Sequence, residues 1–92
     1  MYFKMKWFVY IIEASDNSYY TGITTDVDRR FNEHCSSTLG AKYFNGRKPT
    51  KVIYQEPGHT RSSASKREYE IKKLGRRQKE LLVKSSVLCG VE

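Results

Sequence analysis

Cysteine is scarce in this chain. Cys35 and Cys89 are the two thiols among 92 residues, and their spacing forms no CxxC pair. They read as free thiols in a reducing compartment, which argues against a small secreted domain held by disulfides. Together with His34 and His59 they match no zinc-ligand spacing. Long apolar runs are missing as well. "WFVYII" (7–12) follows Lys4 and Lys6 but stops at Glu13, far short of the ~20 residues of a membrane span. A secretory leader needs a longer apolar segment and a small-residue cleavage site, so a soluble, cytoplasmic protein with no membrane partner is expected. No repeat, linker or low-complexity segment divides the chain, which predicts one domain over 1–92 with a thin core.

Acidic residues are the other shortage. Ten Asp and Glu face 17 Lys and Arg, for a net charge of +7. The excess is concentrated between Arg61 and Lys84, where nine basic residues meet only Glu68, Glu70 and Glu80. Such a field attracts a polyphosphate backbone, and it also serves as a solubilising surface; charge alone supports both readings equally.

What is present divides into short elements. "WFVYIIEA" (7–14) has the β-branched and aromatic make-up of a strand. "SDNS" (15–18) supplies turn formers, and "YYTGI" (19–23) reads as a second strand closing a hairpin. A helix is expected within "TTDVDRRFNEHC" (24–35): Thr25 and Asp28 have capping-box spacing, and Val27, Phe31 and His34 share one face. Residues 36–50 read as loop and 51–55 as a third strand stopped by "EPGHT", which leaves His59 in a surface loop. A second helix is expected over 62–74, ended by Gly75, then a short third helix over 76–85 and a flexible tail over 85–92. The order ββαβαα predicts an α+β fold, a three-stranded, mainly antiparallel sheet flanked by helices.

Within this frame a few residues sit oddly. If the paired strands have an even number sum, Tyr10 and Tyr20 share a face, and Gly22 leaves room for a ligand or a backbone to approach. The plainer reading makes both tyrosines core. Arg30 and His34 are four residues apart beside the apolar stripe of the first helix, with Asp26 placed to pair with Arg30. Arg29 points away, towards solvent or a phosphate. Glu68 falls between Ala64 and Ile71 on the inward side of the second helix, where a carboxylate needs a partner. Two partners fit: Arg30 as a salt bridge, or a divalent cation.

Taken in order, "VYI" (9–11), "YTG" (20–22), Arg30, His34 and Glu68 in "SKREYEIKKL" (65–74) resemble the GIY-YIG nuclease domain, in particular its small stand-alone bacterial members. The resemblance covers about 6–83. The first tripeptide here reads Phe8-Val9-Tyr10, without its namesake glycine, and 75–92 contain no Asn. The resemblance implies a metal-dependent endonuclease that hydrolyses phosphodiester bonds in DNA, structure-selective, in repair or recombination. In that family one tyrosine of the pair Tyr10 and Tyr20 helps activate the attacking water and the other positions it. Arg30 stabilises the phosphoryl oxygens, His34 assists the water, and Glu68 holds one divalent metal, Mg²⁺ or Mn²⁺. Arg29, Lys66, Arg67, Lys72, Lys73, Arg76 and Arg77 are the expected nucleic-acid contacts. Two other readings stand beside it: a non-catalytic nucleic-acid-binding module using 61–84, and a subunit active only with a protein partner.

Overall fold

The computed structural model describes residues 5–36, 44 and 46–90, the last five as backbone only. Strands β1 (Trp7–Ala14), β2 (Tyr19–Thr24) and β3 (Pro49–His59) form one antiparallel sheet in the order β2-β1-β3. Helices α1 (Val27–Cys35), α2 (Arg61–Lys72) and α3 (Arg76–Gly90) complete the α+β fold. Among the described residues no helix is long and apolar enough to cross a membrane.

The sheet is buried on both sides, because β1 is apolar at every position from Val9 to Ile12. Val9 and Ile11 pack with Tyr54 against Ala64 and Ile71 of α2, with Leu82 and Val83 of α3 beside them. Tyr10 and Ile12 pack on the other face against Val27 of α1, with Phe8, Tyr20, Phe31 and Phe44 around them. Thr21 points into the α2 side with its hydroxyl buried and, among the described residues, without a hydrogen-bond partner.

Several boundaries differ from expectation for local reasons. Asp26, not Thr25, caps α1, its carboxylate accepting from Arg29 N at 3.0 Å. That use of Asp26 replaces the expected pairing with the Arg30 side chain. β3 runs through Pro57 and Gly58 instead of stopping at 55. As an edge strand it tolerates a residue with no N–H to donate, and Gly58 takes φ +81° where the register with β1 shifts. Thr60 caps α2 through a capping box with Ser63. Gly75 does not end α2 in a left-handed turn; its carbonyl accepts from Lys79 N and its N–H donates to Gln78 Oε1, so it opens α3. That helix continues to Gly90, past the point where the sequence reading places a tail. Residues 91–92 of that tail lie outside the described residues.

Candidate active site

The hairpin register sets the floor of the site. Tyr10 pairs with Gly22 and Ile12 with Tyr20, an even number sum, so both tyrosines rise from the same face. Gly22 has a more specific use than open room. A Cβ built there would lie 2.6 Å from Tyr10 Oη and 2.8 Å from its Cζ, so the missing side chain is the space the phenol occupies. Helix α1 crosses this face on its Val27–Phe31 stripe and carries Arg30 and His34 over the tyrosines, one turn apart.

Tyr10 is 1 % exposed and His34 2 %, and Tyr10 Oη lies 2.9 Å from His34 Nε2. Tyr20 meets the His34 ring edge-on, with centroids 5.1 Å apart, and Phe44 covers both at 5.2 and 4.9 Å. This apolar surround dictates the protonation states. Burial, reinforced by the Arg30 cation and only partly opposed by Glu33, lowers the His34 imidazole from 6.5 to about 4. Burial also raises the Tyr10 phenol far above its usual value. The Tyr20 and Glu68 charges add to that rise, and the adjacent Arg30 guanidinium opposes it. Near neutral pH the pair is therefore a phenol and a neutral imidazole. In the tautomer with its ring proton on Nδ1, His34 accepts the phenol proton at Nε2.

A neutral buried histidine makes stability pH-dependent. Its folded-state pKa lies below 6.5, so on acidification the unfolded chain takes up this proton first, and stability is lost as pH falls from about 6.5 to about 4. The full shift corresponds to a loss of about 3 kcal/mol. Urea unfolding near pH 7, 5.5 and 4 is expected to show a steeper decline in the parent than in His34→Gln; parallel curves would contradict it.

Glu68 comes from the other side of the sheet, since α2 packs on the Val9 face, yet its charge reaches Tyr10. The salt bridge to Arg30 weighed from sequence does not form. Arg30 Nη1 lies 2.8 Å from Glu33, and Lys72 Nζ lies 3.0 Å from Glu68, whose side chain stays 23 % exposed. Among the described residues no three His, Cys, Asp or Glu side chains gather. His59 lies opposite Trp7 on the α2 face, bonded to Glu56 at 2.6 Å and Ser63 at 2.9 Å, and takes no part in this pocket.

A family model for the GIY-YIG catalytic domain matches residues 6–81. The chain belongs to the GIY-YIG family. This GIY-YIG domain is 51% identical over 80 residues to a UPF0213 protein of Desulfotalea psychrophila, covering 87% of this chain and 73% of that one. It is 53% identical over 74 residues to a UPF0213 protein of Halobacterium salinarum, covering 80% and 95%. The solution NMR structure of a protein from E. faecalis matches with TM-score 0.62 and 42% identity over 96% of this chain and 93% of the other. That of a UPF0213 protein from Bacillus halodurans matches with TM-score 0.54 and 47% identity over 85% and 82%. The family is of nuclease type, with nucleic acid as its general substrate; the UPF0213 names state no activity.

Two contributors to the GIY-YIG pocket escape a sequence reading. Phe44 stands in a stretch that reads as loop, and its only signal is that it is aromatic. Glu33 looks like one more charge on α1 but holds Arg30. The basic residues divide. Arg67 is tied to Glu56 and Glu70, while Arg76 binds Glu80 at 2.8 Å, donates to the Asn17 carbonyl at 2.6 Å and stacks 3.8 Å over the Tyr19 ring. These two fasten β3 to α2 and the hairpin turn to α3. Arg29, Lys66, Lys72, Lys73 and Arg77 remain largely exposed, Lys72 with its charge against Glu68.

Proposed function

We propose that this protein is a divalent-metal-dependent endonuclease that hydrolyses phosphodiester bonds in DNA. The observation that carries the reading is the buried bond from the Tyr10 phenol to a neutral His34, with Arg30 alongside. In-line hydrolysis needs a proton acceptor for water, a cation facing the phosphoryl oxygens and a stabilised leaving group. Tyr10 is a poor base by itself, since its phenol resists ionisation. Hydrogen-bonded to His34, it need not ionise: it passes its proton to Nε2 while taking one from the attacking water. Tyr20 is half-buried beside the same ring and orients the water and phosphate. Arg30, kept charged by Glu33, faces the phosphoryl oxygens.

Glu68 is the residue to hold the metal. A single partly exposed carboxylate suits Mg²⁺ or Mn²⁺, which keep most of their waters, and does not suit a multi-ligand zinc centre. When bound, such an ion supplies positive charge to the leaving 3′ oxygen. Lys72 must release the carboxylate first. The contact at Glu68 also favours a second reading, in which lysine takes the cation's place and the basic surface only binds nucleic acid.

A nicking assay on supercoiled and branched DNA, with and without Mg²⁺ or Mn²⁺, separates the two. Glu68→Ala is expected to lose at least a hundredfold in metal-dependent cleavage while keeping its fold and DNA affinity. Full metal-dependent cleavage by a clean Glu68→Ala preparation would overturn the assignment of the metal to Glu68. Binding without cleavage by the parent would favour the module. Structure selectivity, and with it a place in DNA repair or recombination, follows if branched DNA is cut in preference to linear duplex.

A further inference from the structure

The outer surface of α2 is divided by charge. On one flank Arg67 bonds to Glu56 and Glu70, so its charge is held by two carboxylates. The other flank starts at Glu68 and, at 3.6 residues per turn, continues through Lys72 to Tyr69 and then to Lys73 and Lys66. Three lysines line this flank, with Glu68 at one border and Glu70 at the other, and Tyr69 stands among them 65 % exposed. Its neighbour Lys73 places its ammonium 4.9 Å from the ring centroid. That contact restrains one side of the ring while the rest of the side chain is open to solvent.

A tyrosine ring set among lysines fits a partner that brings a flat π-face and negative charge together. Unpaired nucleotides do so; a paired duplex presents phosphates but keeps its base faces stacked inside. We propose that Tyr69 is a stacking platform for an unpaired base, with Lys66 and Lys73 on the adjoining phosphates. The substrate class of the GIY-YIG site would then be nucleic acid with a single-stranded segment beside the bond to be cut. The proposal rests on the nuclease reading for that last step only, because Tyr69 and Glu68 are consecutive residues and a strand stacked on one passes close to the other.

The test is a binding measurement in EDTA, so cleavage plays no part. Fluorescence anisotropy would compare a labelled duplex with the same duplex carrying a DNA or RNA flap, for the parent, Tyr69→Ala and Tyr69→Trp. Tyr69→Ala is expected to weaken binding of both flaps about tenfold and of the duplex less than twofold, since stacking does not read the sugar. Tyr69→Trp should keep flap affinity, and 2-aminopurine in the flap should be quenched by the parent but not by Tyr69→Ala. An equal loss on flap and duplex, or no loss on either, would overturn the stacking role and leave Tyr69 an isolated surface aromatic. A protein that discriminates flaps through Tyr69 but never cleaves would refute the nuclease reading and keep this one.

Discussion

Tyr10→Phe is expected to lower metal-dependent nicking by about 10²–10⁴, the range of a lost proton-transfer group, with the ring and its packing kept. The variant removes one oxygen, the one that bonds His34 Nε2 at 2.9 Å. It also leaves that nitrogen buried without its phenol, at a cost to stability of about 1–3 kcal/mol. The relay makes a sharper claim than the single substitution. If Tyr10 and His34 act as one path, then His34→Ala loses a similar factor, and the double variant loses little more than either alone. Rates measured for the four proteins in one assay decide it: multiplicative losses mean two independent groups and no relay.

Gly22→Ala should fail in a different way. The added methyl would lie 2.6 Å from Tyr10 Oη, 2.8 Å from Cζ and 3.1 Å from Cε2. Such a clash is relieved only by moving a ring, and this ring is fully buried and hydrogen-bonded. Overpacking of this kind costs about 1–3 kcal/mol, which in a domain of this size lowers Tm on the order of 10 °C. Nicking should fall with it, because the displaced phenol leaves Nε2. Gly75→Ala is the control: among the described residues only Gln78 Oε1, at 4.0 Å, comes near its Cβ, and it is expected to change Tm far less than Gly22→Ala. A Gly22→Ala protein with parental Tm would show that the two strands do not approach as described.

Legibility followed the range of the interactions involved. The β-branched and aromatic make-up of β1 and the stripe of α1 are local patterns, each visible in a stretch of ten or so residues, and the ordered set Tyr10, Tyr20, Arg30, His34, Glu68 is a matter of residue type and order along the chain. Where expectation and structure diverged, some causes were local, as at the Asp26 cap and the Gly75–Gln78 bond, and others lay in where an element sits in the fold. The turn dipeptide Pro57-Gly58 stays within β3 because the strand lies at the sheet edge and bends at a register shift. Glu68 pairs with Lys72 and Arg30 with Glu33, since the two helices lie on opposite faces of the sheet and each charge found its partner on its own helix.

The division is clearest at the site. Residue types and their order were enough by themselves to determine the family and to nominate Tyr10, Tyr20, Arg30, His34 and Glu68 as candidate groups. Protonation was not, because the fall of His34 to about 4 and the rise of Tyr10 both come chiefly from burial, and burial exists only once sheet, helix and Phe44 close around the pair. For the same reason the role of Gly22 became visible only in three dimensions: the ring that fills its missing side chain belongs to the neighbouring strand.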